Sequence, residues 1–338
     1  MTTARGRVVG FAVVVVAVIC AMVGYVLVAV AADDDNASAG APAPTASAGQ
    51  PAYPNGFIAF RRTSNDAGYG TVGTVPIDQP TATPAANPGL VCERVHVSRG
   101  GGVCVDVDRG SVTTARVLLL GPDLRVRHTL TTPGIPSRAR VSADGRWGAT
   151  TTFVFGHSYA DGSFSTQTEI YDMQAGRSLG NLEDFDVTRG GAPVRSADLN
   201  VWGVTFAREG TTFYATVMTG GRKHLARGDS ATRTLTLLDV SAECPSLSPS
   251  GEHVAYKSAT GPTTWEVKVR RLSDGSETVI RTARSVDDQI EWLDDERILF
   301  GLAPPGGGAT SDVWVAPADG SAPAELLIPA AWSPAVVR

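Results

Sequence analysis

Leu247-Ser-Pro-Ser-Gly251, Glu252-His-Val-Ala-Tyr256 and Trp265-Glu-Val-Lys-Val-Arg-Arg-Leu-Ser-Asp-Gly275, closed by Glu277-Thr-Val-Ile-Arg281, decide the fold. Pro249-Ser250-Gly251 is a turn that ends one strand, and His253 to Tyr256 form the next. A third strand alternates Trp265, Val267 and Val269 on one face, the period-two pattern of a half-buried strand. Asp274-Gly275 between apolar runs is a hairpin signal, and it returns the chain into a fourth strand. The unit is therefore a four-stranded antiparallel sheet.

Copies of this unit fill the rest of the chain. Trp292-Leu-Asp-Asp-Glu296, Arg297 to Phe300, Asp312 to Gly320 and Ala324 to Ile328 form the next. Upstream, Val141-Ser-Ala-Asp-Gly145 leads into Trp147 to Phe155, then Glu169 to Gly176. Ser196-Ala-Asp-Leu199 leads into Val201 to Phe206 as a second strand, then Thr212 to Thr219. Val97-Ser-Arg-Gly-Gly101 leads into Val103 to Val107, then Ala115 to Leu120. A partial copy starts at Asn55-Gly-Phe-Ile-Ala-Phe60. The turn serines Ser98, Ser142, Ser196 and Ser248 are 44, 54 and 52 residues apart, and Asp294 follows 46 after Ser248. A four-stranded unit at this period is a propeller blade, which buries its faces only by stacking on neighbours. Six copies predict an all-β, six-bladed β-propeller over residues 55–338. The first copy lacks a leading strand, and Ala331-Trp-Ser-Pro334 is predicted to supply it beside Gly56 to Phe60.

The chain before the repeats is different in kind. Val8 to Ala32 carries no charge and is apolar except for two glycines; as a helix it is about 37 Å long, enough to span a bilayer. Arg5 and Arg7 precede it, Asp33-Asp-Asp35 follows it, and all 34 acidic residues lie beyond it. This predicts a cytoplasmic tail (1–7), a transmembrane signal anchor (8–32) with the N-terminus cytoplasmic, and an exported remainder. Ala29-Val-Ala31 is a competing cleavage pattern, set against an apolar core longer than a signal peptide needs. Residues 33–54, rich in Ala, Pro, Ser and Gly, predict a disordered linker.

The Ser-Pro turn, the short apolar strand, the Trp/Val strand and the closing Asp-Gly, carried by Leu247 to Ile280 and Trp292 to Ile328, resemble the TolB-like (PD40 repeat) six-bladed propellers. More loosely the resemblance extends over Tyr53 to Arg338, without the N-terminal α/β domain of TolB itself. It implies an extracytoplasmic protein-binding or scaffold module in the cell envelope. Related rings occur in lyases and calcium-dependent lactonases, so a metal-assisted lyase or lactonase acting in the channel is the alternative.

A net charge of −5 offers no basic footprint for nucleic acid. The five histidines never fall at i, i+4; H-E-x-x-H, C-x-x-C, G-x-S-x-G and a P-loop are all absent. The reading is therefore a binding scaffold with no catalytic residues, no cofactor and no metal. Its expected partners are the cytoplasmic membrane, through residues 8–32, and a protein or cell-envelope polymer. The acidic pairs Asp184/Asp186, Asp106/Asp108, Asp287/Asp288 and Asp294/Asp295 read as solvated edge charge. Arg284-Ser-Val-Asp287-Asp288-Gln289 leads into the innermost strand of the last blade, which places Arg284, Asp287, Asp288 and Gln289 at the channel rim as the candidate binding site. Cys92 and Cys104 fall in one blade and are predicted to form a disulfide, as suits an oxidising compartment. A turn centred near Gly100 sets Cys104 opposite His96 and Cys92 opposite Asp108, so the bond needs a bulge or a wide loop. Cys244 is expected to be buried as a small apolar residue on an inner strand.

Overall fold

A computed structural model describes residues 53–338 except 110–112, 155–164, 209, 306–307 and 309. The expected tail (1–7), membrane anchor (8–32) and the linker as far as residue 52 lie outside the described residues. Among those described, no helix is long and apolar enough to cross a membrane. Tyr53, near the linker's end, packs on the ring: its aromatic ring lies 5.7 Å from that of Phe57, and its side chain packs on the core.

The strands form six sheets, five of four strands and one of six. From the centre outward, blade I is Ala331–Val337, Phe57–Arg62, Thr71–Pro76 and Ala85–Val91. Blade II is Arg94–Ser98, Gly101–Arg109, Thr113–Leu120 and Val126–Pro133. Blade III is Ile135–Val141, Trp147–Val154, Ser165–Asp172 and Arg177–Asn181. Blade V is Glu243–Leu247, His253–Gly261, Thr264–Arg271 and Glu277–Val279. Blade VI is Glu291–Trp292, Arg297–Leu302, Asp312–Pro317 and Glu325–Ile328.

Period-two patterning converts directly into stacking. Successive side chains of a strand point to opposite faces, and in Phe57–Arg62 they meet different neighbours. Phe57 and Ala59 pack toward blade II with Val95 and Val97, while Ile58 and Phe60 pack toward blade VI with Leu299 and Val313. Every seam around the ring has its own apolar cluster, six in all. The ring closes as the repeat required: the C-terminal strand takes the innermost place of blade I, antiparallel, with Phe57 opposite Val337 and Ala59 opposite Ala335.

Blade IV departs from the reading of the repeat. Its innermost strand is Asn200–Phe206, followed by Thr212–Thr219, Arg222–Asp229 and Thr234–Leu237. Asn200–Phe206 is thus the first strand and not the second, and Ser196-Ala-Asp198 is not a turn between blade strands. Instead the Asp198 carboxylate accepts the backbone N–H groups of Gly220 and Gly221 at the hairpin tip. The displaced segment runs along the outer edge, where Asp186–Arg189 pairs in parallel with Thr234–Leu237 and Ala192–Pro193 completes a six-stranded sheet. A Ser-x-Asp that caps a nearby turn has the same local chemistry as one that forms a blade turn, which is why the pattern misled.

Candidate functional site

The innermost strands run parallel to one another around the axis, so the channel has a lower mouth where they start and an upper mouth where they end. The polar residues of these strands point inward in layers. Two residues before the blade turn stand His96, Arg140 and Ser246; four residues before it stand Arg94, Arg138 and Cys244.

The middle of the channel is filled by a charge cluster. Arg140 donates to Glu291, to the Ile290 carbonyl at 2.8 Å and to Ser246 Oγ at 3.3 Å. His96 Nδ1 accepts the Val141 N–H at 3.1 Å, which leaves Nε2 to carry the proton and donate to Glu291 Oε2 at 3.3 Å. Burial disfavours the imidazolium and lowers the His96 pKa, so the ring is neutral at pH 7. Burial would raise the Glu291 carboxyl, but His96 and the Arg140 charge beside it, with the hydrogen bonds from His96 and from the Val336 N–H, outweigh it and hold it at about 2.

A second set of contacts crosses the lower mouth. The Arg94 guanidinium lies 5.6 Å from the Trp332 ring and donates to the Ser137 carbonyl at 2.6 Å. Arg138 donates to the same carbonyl at 2.7 Å and to Asp287 Oδ1 at 3.2 Å. Lys257 donates to Asp287 Oδ1 at 2.6 Å and sits 4.3 Å over the Trp265 ring. Trp265 Nε1 and Lys223 Nζ both donate to Glu243 Oε1, at 2.9 and 2.6 Å. This ribbon takes a residue from every blade. Lys257 and Arg138 are buried, whereas the Asp287 side chain is 64% exposed. Burial, and then the neighbouring Arg138 charge, lower the Arg94 pKa to about 10. Among the described residues no carboxylate lies within ion-pair distance of Arg94.

The predicted rim segment divides. Asp287 stands at the lower mouth, in the ribbon. Asp288 is fully buried and accepts the Gly301 and Ser333 N–H groups, tying blade VI to blade I. Gln289 is 7% exposed and donates to the Ala139 carbonyl, tying blade VI to blade III. These two are internal ties. Arg284 makes no hydrogen bond or ion pair with the cluster. Arg94, Arg138, Arg140, His96, Lys257, Glu291, Trp265 and Trp332 were not anticipated. The alternation Arg94-Val-His-Val-Ser98 and Arg138-Ala-Arg-Val-Ser142 was the available signal: charged residues on one face of a strand whose other face is apolar.

The upper mouth is a basin of about 390 Å³ to which all six blades contribute, among them Arg99, Ala143, Arg208, Pro249, Trp292 and Arg338. Among the described residues no three His, Cys, Asp or Glu side chains converge as metal ligands.

Cys92 and Cys104 are joined in a disulfide with their Cα atoms 5.4 Å apart. The register differs by one residue from the expected hairpin: Cys104 lies opposite Val95 and His96 opposite Val103. Cys92 precedes the strand, and the bend at Cys92-Glu93, where Cys92 donates to Gly70 and Glu93 to Val105, brings its sulfur across. Cys244 is free and buried on the inner strand of blade V, but its surroundings are polar, because its sulfur lies against the Arg138 guanidinium. Its positive φ of 49° lets blade V approach blade IV, where a Cβ on Gly203 would come within 2.6 Å of the Cys244 Cα.

No protein-family model matches the sequence, and no curated protein matches it. Its architecture does have counterparts. TolB from Acinetobacter baumannii superposes with a TM-score of 0.60 at 13% identity, over 84% of this chain and 67% of that one. A chain of a nidogen–laminin complex superposes with a TM-score of 0.51 at 10% identity, over 83% and 97%. The described chain is thus a six-bladed β-propeller. Within that class its fold is TolB-like.

Proposed function

We propose that this chain is an extracytoplasmic binding scaffold, tethered to the cytoplasmic membrane by residues 8–32, that engages a protein or envelope polymer at its channel mouths without catalysing a reaction. The ribbon across the lower mouth carries the reading. It presents cations, a solvent-facing carboxylate and two indoles at one opening, which is recognition chemistry. The interior groups behind it are committed to one another: Arg140 and Glu291 neutralise each other, and His96 orients Glu291. The Cys92–Cys104 disulfide suits an exported domain.

Two measurements test this. Full-length protein expressed in a bacterium should stay with the membrane fraction after a high-salt wash, and externally added protease should remove the ring from intact spheroplasts. Release of soluble full-length protein, or protection of the ring, refutes the tether and its orientation. Turnover of lactone or polysaccharide substrates by the purified ring, abolished by substitution of Glu291 or Asp287, refutes the non-catalytic role.

A further inference from the structure

Three cations meet at the lower mouth around a single carboxylate that the solvent can reach. Arg94 and Arg138 share the Ser137 carbonyl as acceptor, which holds the two guanidinia side by side. Each of two like charges so close disfavours the other, and an anion placed between them relieves both. Asp287 supplies one anion to Arg138 and Lys257, and Arg94 has none within ion-pair distance among the described residues. The buried Nε of Arg138 also has no partner. Asp288 is nearby but buried, and both of its backbone donors bind one oxygen, Oδ2. Asp288 acts on Arg94 and Arg138 from the buried side, so on the side that faces water the three cations have Asp287 as their one carboxylate among the described residues.

We propose that the lower mouth binds a carboxylated sugar unit of an exported polymer, whose carboxylate takes the place Asp287 now holds between Arg138 and Lys257 and also reaches Arg94. Asp287 is then a built-in stand-in for the ligand. It is chemically the same group, a carboxylate in charge-assisted hydrogen bonds with buried cations. It projects from the segment leading into blade VI, and its side chain is mostly exposed, so it can swing out without opening the core. Trp332 beside Arg94 and Trp265 beside Lys257 stand at the two ends of the cation row. Trp265 is only partly buried, and its face away from Lys257 suits the C–H face of a pyranose ring beside a bound carboxylate. The inference rests on the binding-scaffold reading and names its ligand.

The test is isothermal titration of the ring (residues 48–338, one compact unit) with a galacturonate hexamer, a neutral galactose hexamer and hexaglutamate. Thermal melts of every variant keep loss of binding distinct from loss of fold. The galacturonate hexamer should bind, and the neutral sugar should not. Asp287→Asn removes the competing carboxylate and should tighten binding about tenfold, whereas a merely structural Asp287 would leave it unchanged or weaken it. Arg94→Met should weaken binding at least about tenfold, and Trp265→Ala severalfold. Arg125→Gln, in the exposed hairpin between the two outer strands of blade II, should change nothing. Binding that Asp287→Asn fails to tighten, equal binding of hexaglutamate, or no binding by a folded ring overturns the proposal. None of these bears on membrane fractionation or spheroplast protection, so failure here leaves the scaffold reading to its own tests.

Discussion

Replacing Glu291 by Gln removes one charge from the middle of the channel and almost no volume. The side chain is 11% exposed, and Arg140, 5% exposed, has no other carboxylate within ion-pair distance among the described residues. Breaking a buried pair by removing one partner leaves an uncompensated charge and costs about 3–5 kcal/mol. Linkage gives a similar figure. The Glu291 carboxyl lies at about 2 in the fold against an ordinary value of 4.5, a difference corresponding to about 3 kcal/mol. Because the folded pKa is the lower one, this contribution is complete above pH 4.5 and is lost as the pH falls through about 2. Urea unfolding followed by tryptophan fluorescence should show Glu291→Gln less stable by about 3 kcal/mol at pH 7 and by about half that at pH 3. Burial weighs on Arg140 as well, lowering its pKa despite the carboxylate, so the intact pair is worth less than the cost of halving it. The double variant Arg140→Met/Glu291→Leu should therefore lose less than Glu291→Gln alone. A Glu291→Gln ring within about 1 kcal/mol of the parent at pH 7, or an equal deficit at both pH values, would refute this account.

Ala335→Asp puts a charge on the fully buried face of the closing strand, opposite Ala59. It should cost more than about 4 kcal/mol and make the ring sensitive to limited proteolysis at native temperature. Cys92→Ser/Cys104→Ser opens a loop with a sequence separation of 12; it should cost about 3 kcal/mol, and dithiothreitol should lower the melting temperature of the parent ring but not of the variant. Burial, aided by Asp184, pushes the Glu183 carboxyl up to about 7, and its Oε1 has no partner. The folded pKa is the higher one here, so stability is lost as the pH rises from 4.5 through about 7. Glu183→Gln should thus stabilise the ring by about 1–2 kcal/mol at pH 8 and by little at pH 5, read from urea midpoints.

How far the sequence could be read depended on the kind of information each feature uses. Strands and hairpins are local, and the Asp274-Gly275 turn and the Trp265/Val267/Val269 alternation are enough to define a blade. Ring closure could be inferred because a strand without a blade and a blade without a strand stood at opposite ends. Blade IV failed because Ser196 and Asp198 offer a local turn signal, while the choice of inner strand was settled by the parallel pairing of Asp186–Arg189 with Thr234–Leu237, which no local pattern encodes. The site is non-local throughout. Arg138 and Asp287 are 149 positions apart, and only the ring brings them together. Asp287 could be placed near the channel because the loop that carries it could be located from the repeat. Its cations were not, because each alone is an ordinary polar residue on a strand.

The pairing of Phe57 with Val337 and of Arg62 with Ala331 has a mechanical consequence. Tyr53 and Arg338 leave the ring at the same end of this antiparallel pair. Tension applied between these two points loads the Phe57–Val337 contact first and peels the strands apart, breaking hydrogen bonds one after another rather than in parallel. Tension applied across any other pair of blades must instead shear stacked sheets against each other. A force spectrometer pulling from positions 53 and 338 should therefore record a low, early yield at this one seam, with the other five blades holding to higher load.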